Sequence, residues 1–385
     1  MTELFNTKQF EGIRTPFYYY DTNILRKTIE AINTEINKYD NYFVHYAIKA
    51  NANPKVLDVI QKSGIGIDAV SGGEIERALK AGFPADKIVF AGVGKSDWEI
   101  ELALKEGIFC FNVESVPELE VINEISERMK KTASVCFRIN PNVGAHTHAH
   151  ITTGLAENKF GISMEQMEEV ILKAKKLKNI IFRGLHFHIG SQITEMDDFI
   201  ALAERINEIQ DRLNSEGIYF DIVNVGGGLG INYINPTENP ITDFKLFFET
   251  YHKHLKLRPG QALFFELGRA VVGQCGTLIS RVNYVKEAKT KKFVIVDAGM
   301  TELIRPALYD AHHKIYNISS DEPEETYDVV GPICESSDVF GKDIKLNKTH
   351  RGDYIAILSA GAYGESMASQ YNCRFGLQSF TSDEL

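Results

Sequence analysis

Tyr46-Ala47-Ile48-Lys49-Ala50-Asn51-Ala52-Asn53-Pro54 is the stretch that decides the fold of this chain. An aromatic and β-branched run (Tyr42, Phe43, Val44, Tyr46, Ile48) ends in Lys49, and two asparagines and a proline follow. This pattern predicts a buried strand closed by a lysine, then a turn. Such a lysine is either a solvated charge in a strand-to-helix turn or an amine desolvated by its apolar strand for attack on a carbonyl. The rest of the chain decides between the two.

The same texture recurs downstream. Strand-like runs at about 42–48, 65–69, 88–91, 108–113, 133–139, 181–188, 220–225 and 262–266 are separated by helical stretches. The helical stretches lie near 54–63, 73–81, 96–106, 115–130, 163–177, 195–214 and 242–256. Ser96 and Ser115 stand where N-caps belong, and Gly64, Gly82 and Gly107 where helices end. Eight strands alternating with helices over this length predict an α/β architecture, a (β/α)8 TIM-type barrel. An open doubly wound sheet shares the local pattern. After Glu266 the texture changes: Thr277–Glu287, Lys292–Ala298, Tyr327–Val330 and Asp353–Leu358 read as strands with few helices between them. We therefore expect a barrel over 26–266 and a second, mostly β domain built from 1–25 and 267–385. The aromatic run Phe17–Tyr20 is a lone strand that can join the second domain.

Composition bounds the function. Of 385 residues, 44% are hydrophobic and 24% charged, as in a soluble enzyme. A net charge of −10 argues against nucleic acid or an anionic membrane as partner. There is no apolar run of membrane-spanning length, and the amino terminus lacks the layout of a signal peptide. Five scattered cysteines without a C-x-x-C pair fit a reducing cytoplasm and no structural zinc. His146, His148 and His150 alternate, but no carboxylate or cysteine stands at a matching spacing, so no metal is expected. A serine-hydrolase elbow, G-x-S-x-G, is missing from the sequence.

In a barrel, function gathers at the carboxyl ends of the strands. Lys49 closes the first, Asp68 the second and Arg138 the fifth; His186 and His188 end the sixth. The seventh ends in Gly226-Gly227-Gly228-Leu229-Gly230 and the eighth in Glu266. The glycines offer backbone N–H groups to a phosphate, or simply make a tight turn. An amine, a phosphate cradle and a carboxylate together suit pyridoxal 5'-phosphate, with Glu266 on the pyridine nitrogen and an imidazole against the ring. Further along, Arg305 is a surface cation or a carboxylate clamp. Cys334, beside Glu335, is a proton donor or a core hydrophobe. Tyr363, between glycines, contacts phosphate or packs.

The motifs YAIKAN (46–51), SGGE (71–74), NKFGI (158–162), HFHIGSQ (186–192), GGGLG (226–230) and ELGR (266–269) are joined by three more. These are DAGMTELIRPALY (297–309), GPICESSD (331–338) and GAYG (361–364), within a stretch running from Thr15-Pro16-Phe17 to Tyr371-Asn372. In combination they resemble the fold-type III pyridoxal-phosphate-dependent decarboxylases, over nearly the whole chain. The resemblance implies that Lys49 is the Schiff-base lysine and that His188 stacks on the cofactor ring. It places Asp68, Arg138, Ser191, Gly227, Gly228, Glu266, Gly268, Arg269 and Tyr363 around the cofactor. Arg269, Arg305, Tyr309, Glu335 and Tyr363 would bind substrate, and Cys334 would return the proton.

Through the IRPALY and CES segments, which in the family contact the distal end of the substrate, the resemblance implies decarboxylation of meso-2,6-diaminopimelate at its D-centre, giving L-lysine. Sister substrates such as carboxynorspermidine or a siderophore precursor, and a non-catalytic homologue, are the alternatives. The resemblance also implies a homodimer with shared sites, Cys334 and Glu335 coming from the second subunit. Leu267 stands where the family usually has proline.

Overall fold

The computed structural model of the chain describes residues 5–143 and 159–385. The histidines at 146, 148 and 150, and the first residue of the NKFGI motif, lie outside the described residues. The chain divides into two compact units. One comprises Ile29–Gly230 and Asp243–Gly268; the other comprises Met1–Thr28, Ile231–Thr242 and Arg269–Leu385.

A short strand, β1 (Phe17–Tyr20), comes first, followed by helix α1 (Thr22–Ile36). The next eight strands are β2 (Tyr42–Ala47), β3 (Gly66–Ala69), β4 (Ile88–Phe90), β5 (Cys110–Val113), β6 (Ala133–Arg138), β7 (Ile180–His186), β8 (Ile222–Asn224) and β9 (Ala262–Leu267). All pair in parallel in sequence order, and β9 returns to β2, so the sheet closes into a barrel. The open-sheet alternative is thereby excluded. The strands read as continuous apolar runs because both faces are covered, one by the barrel interior and one by helices. Val89, Cys110, Cys136, Ile222 and Phe264 form one buried cluster among these strands.

The crossover helices are α2 (Pro54–Gln61), α3 (Gly72–Lys80), α4 (Asp97–Glu106), α5 (Val116–Met129), α6 (Met167–Ala174), α7 (Met196–Ser215) and α8 (Phe244–His254). Their starts are written in the sequence. The Asn53 side chain accepts from Lys55 N–H with Pro54 in the first turn, and Ser96 with Glu99 forms a capping box. Ser115 accepts from Glu118 N–H at 3.3 Å. Helix α4 ends on Gly107, whose φ of 72° is the left-handed conformation that glycine adopts without strain. The SGGE motif is also a cap: Ser71 Oγ accepts from Glu74 N–H at 3.2 Å, and Glu74 Oε2 accepts from Val70 N–H at 2.8 Å.

Beyond β9 come α9 (Arg269–Val272), β10 (Gly276–Glu287), β11 (Lys292–Val296), α10 (Arg305–Tyr309), β12 (Ile315–Asn317), β13 (Glu324–Val330), β14 (Val339–Asn347), β15 (Tyr354–Ile357) and β16 (Gln378–Thr381). The order β12-β15-β10-β11-β13-β14 makes one sheet. The lone amino-terminal strand joins it as expected, antiparallel to β10 and parallel to β16. Phe5, Phe10, Phe17 and Tyr19 pack there with Ile279, Ile318 and Tyr354 as a buried aromatic cluster.

Candidate active site

Lys49 does not close its strand. Strand β2 ends at Ala47, and Lys49 occupies the middle of a one-turn 3-10 helix, Ile48–Ala50, closed by a bond from Asn51 N–H to Ile48 O at 3.1 Å. The cause is the end of pairing: Ala47 opposite Asp68 and Tyr46 opposite Leu267 are the last partnered residues, and the buried Ile48 side chain anchors the turn. The amine then sits 3.2 Å from Asp68 Oδ2. Asp68 is buried, and its Oδ1 has no hydrogen-bond partner among the described residues. Burial, together with the charge of Glu266, pushes the Asp68 carboxyl up to about 7 against the pull of Lys49.

Glu266, on β9, is held from three sides. Its Oε1 accepts from Asn112 Nδ2 at 2.9 Å and Asn224 Nδ2 at 2.7 Å, and its Oε2 lies 3.0 Å from His186 Nε2. Burial raises its pKa, but His186, Lys49 and the Asn224 amide outweigh burial and hold the carboxyl well below the usual range. Glu266 is a permanent anion in a dry setting. Asn112 and Asn224 were not anticipated; each is a single amide in a short buried apolar strand, Asn112 within β5 and Asn224 at the end of β8, and that is the only signal either carries in the sequence.

The His188 ring is neutral, its pKa lowered by burial first and then by the Arg138 and Lys49 charges. Its Nδ1 accepts from Gly227 N–H at 3.3 Å, which fixes the tautomer with the proton on Nε2. Gly227 allows a close approach: a Cβ there would fall 1.9 Å from Glu266 O. Gly228, with φ of 109°, is knitted to the loop after β7, since Ile193 N–H donates to its carbonyl at 2.8 Å. Ser191 is half-buried in that same loop, and Gly268 is buried directly after β9.

Arg138, the last residue of β6, is buried and pairs with Glu114 at 3.2 and 3.3 Å. Glu114, also unanticipated, further accepts from Gly92 N–H at 3.0 Å and Gly161 N–H at 3.1 Å.

In the second unit, Arg269 and Arg305 are buried close to tyrosines. Arg269 Nη1 donates to Tyr233 Oη at 2.6 Å, and its guanidinium lies 4.8 Å from the Tyr363 ring centre. The Arg305 guanidinium lies 4.9 Å from the Tyr233 ring centre, and its Nη1 is 2.8 Å from His313 Nε2. Among the described residues no carboxylate pairs with Arg305, and its buried Nε has no hydrogen-bond partner. Tyr309, half-buried, ends the short helix that Arg305 begins. Tyr363 holds φ of 56°, an uncommon conformation for a side-chain-bearing residue.

The GPICESSD motif separates structure from presentation. Buried Asp338 accepts from Ile333 N–H at 2.7 Å and Met300 N–H at 2.6 Å, tying the turn at its base. Cys334 and Glu335 stand exposed at its tip. There Cys334 N–H donates to Asn372 Oδ1 at 3.2 Å, and Tyr371 Oη donates to Glu335 Oε1 at 2.9 Å. No group of three or more histidine, cysteine or acidic residues among the described residues is arranged to hold a metal ion.

A family model described as pyridoxal-dependent decarboxylase, pyridoxal binding domain, matches residues 24–273. The chain is 66% identical to the diaminopimelate decarboxylase of Bacteroides thetaiotaomicron over 385 residues, the whole of both chains. It is 42% identical to the diaminopimelate decarboxylase of Haemophilus influenzae over 366 residues, 94% of this chain and 87% of that one. Among solved structures it is similar to diaminopimelate decarboxylase from Helicobacter pylori complexed with L-lysine, with a TM-score of 0.92 and 40% identity. That match covers 98% of this chain and 94% of the other.

Proposed function

We propose, from the premise that this chain belongs to the diaminopimelate decarboxylases of the pyridoxal-dependent decarboxylase family, that it converts meso-2,6-diaminopimelate into L-lysine and carbon dioxide. The carboxylate lost is the one at the D-centre. The observation that carries this reading is full-length identity of 66% to a diaminopimelate decarboxylase.

The residues present fit pyridoxal phosphate. An amine stands beside a buried carboxylate with an oxygen unpartnered among the described residues, a desolvated anion lies at Glu266, and the glycine turn has no room for a Cβ at Gly227. When bound, the cofactor supplies an electron sink for the pair left behind by the departing carboxylate. Lys49 would be the covalent anchor, its amine held beforehand by Asp68. Glu266 would keep a proton on the ring nitrogen, and the neutral His188 would lie against the ring face. Arg138 adds positive charge at the mouth of the barrel. As the family resemblance implies, Ser191, Gly227, Gly228, Gly268, Arg269 and Tyr363 would hold the phosphate.

Arg305, Tyr309 and Glu335, with Arg269 and Tyr363, bind the substrate, the distal amino-acid end requiring both a cation and an anion. Cys334 delivers a proton from its Sγ to the α-carbon. We assign Cys334 and Glu335 to the site of a second copy in a homodimer. Their exposure at a tied turn supports this, as do exposed Tyr371 and Phe375, 49% and 65% accessible, which an interface would cover. No described helix is long and apolar enough to cross a membrane. The five cysteines are unpaired, in keeping with a cytoplasmic setting.

The test is carbon dioxide release from cofactor-loaded protein offered meso-diaminopimelate, its L,L isomer, L-ornithine, L-arginine and carboxynorspermidine. Turnover of the meso isomer with L-lysine as product is expected. Preference for another member of the panel, or silence across it, overturns the reading.

A further inference from the structure

We infer that His313 is a positioning residue: a neutral imidazole that aims the Arg305 guanidinium so that its remaining edge receives the substrate's distal carboxylate. The inference rests on the substrate role proposed for Arg305.

Hydrogen-bond chemistry alone fixes the state of the ring. His313 Nδ1 lies 2.8 Å from Leu358 O, and a carbonyl can only accept, so Nδ1 carries a proton. Nε2 lies 2.8 Å from Arg305 Nη1, and a guanidinium can only donate, so Nε2 carries none. The ring is therefore the neutral Nδ1–H tautomer. Burial, followed by the Arg305 charge, pushes its pKa down to about 3, so this state persists throughout the working range.

The platform beneath the ring is rigid. Leu358 N–H donates to Lys314 O at 2.9 Å, and Ile315 pairs with Ile357 as the β12–β15 ladder begins. His313 is thus locked to the sheet on both sides of its bond to Leu358. Arg305, by contrast, opens a helix of five residues and has no carboxylate partner among the described residues. One face of its guanidinium is covered by Tyr233, at 4.9 Å, and the same Tyr233 ring meets His313 edge-on at 5.3 Å. With Nη1 committed to His313 and the face to Tyr233, the guanidinium cannot rotate without breaking a buried bond. Its Nε, buried, is left without a partner among the described residues. A guanidinium edge takes a carboxylate by two parallel bonds, so its direction determines affinity more than its mere presence does.

The test uses the cofactor-loaded enzyme with three variants, reading KM for meso-diaminopimelate, KI for L-lysine, kcat and thermal midpoint. His313→Leu removes both bonds and should raise KM and KI about tenfold, the loss of one hydrogen bond to a charged group, with kcat changed less than about threefold. His313→Gln offers an acceptor and a donor again and should bring both constants back to within about threefold of wild type. If the leucine variant does not fold, His313→Phe, which keeps the ring but neither nitrogen, carries the same expectation. Arg305→Lys separates the two levels. If it raises KM while His313→Leu or His313→Phe does not, the positioning role is wrong and the substrate role of Arg305 stands. If neither change moves KM or KI, the substrate role fails and the inference falls with it. A loss of kcat and midpoint in the glutamine variant as large as in the leucine variant also overturns the inference, because it marks a packing residue only.

Discussion

Replacing Glu266 by glutamine removes one charge from the barrel and leaves its volume almost unchanged. The oxygen of the new amide can keep both bonds from Asn112 and Asn224, at 2.9 and 2.7 Å in the wild type. Its NH2 then faces His186 Nε2, 3.0 Å away, which must turn acceptor. His186 can do so without losing a bond, because its buried Nδ1 has no partner among the described residues and can take the proton. Folding should therefore lose about 1 kcal/mol or less. The catalytic cost is larger. An anion stabilises a protonated ring nitrogen through a charge-assisted bond of about 1.5–3 kcal/mol, which a neutral amide cannot supply. With each 1.36 kcal/mol equal to a factor of ten, kcat should fall about 10- to 150-fold. The assay is carbon dioxide release at saturating meso-diaminopimelate, with bound cofactor measured by visible absorbance and the thermal midpoint by calorimetry. A variant that holds cofactor and keeps kcat within about threefold of wild type refutes the role given to the Glu266 charge. A variant that fails to fold refutes the structural half of the reasoning.

Gly227→Ala should abolish cofactor retention or soluble yield, since its Cβ would fall 1.9 Å from the Glu266 carbonyl; normal loading would show that the turn can move aside. Cys334→Ala should bind cofactor yet lose most turnover, and wild-type rates would assign the proton to another group. Lys49→Ala should lose the visible absorbance of covalently held cofactor. Mixing it with Cys334→Ala should restore part of the activity if sites are shared between copies, whereas no recovery after proven subunit exchange counts against sharing. His45, buried with its pKa lowered to about 4 by burial, gives a pH signature. The unfolded chain takes up a proton below about 6.5 and the folded ring only near 4, so stability falls as pH drops through that window, by about 3 kcal/mol in all. Urea midpoints should therefore decline more steeply from pH 7 to 4.5 in wild type than in His45→Gln, and parallel declines would contradict the burial argument.

The barrel was legible because its strands are continuous apolar runs and its helices carry their own caps, as at Ser96 and Ser115. The second sheet was legible only in part. Strand β14, VFGKDIKLN, carries Lys342, Asp343 and Lys345 and a glycine, and only Phe340 and Leu346 along it are buried, so no apolar run announces it. Strands β12 and β16 have three and four residues, too few for a period to show. Lys49, Asp68, Arg138 and Glu266 stand out as polar residues near strand ends. Asn224 ends β8 and Glu114 directly follows β5, yet neither of them, nor Asn112 or His313, stands out, because their importance lies in which residue they meet across the barrel or sheet, and register is not written in one strand. The lysine turn after β2 was missed for a related reason: Ile48 reads as strand by type, yet it is spent on anchoring the turn.

The two carboxylates at the mouth of the barrel show how environment divides labour between like groups. Glu266 has three donors and stays an anion; Asp68 has one cation, an oxygen unpartnered among the described residues and a like charge nearby, and is pushed up to about 7. Environments that push two pKa values apart assign a fixed charge to one group and a mobile proton to the other. Glu266 is thereby suited to hold a charge constant through a reaction cycle. Asp68, raised by burial and by the Glu266 charge against the pull of Lys49, is suited to take up a proton when that amine ceases to be a cation. Asp68→Asn should therefore leave Glu266 and its three donors in place and disturb only the amine. That separation follows from the bonds each carboxylate makes, since both are buried.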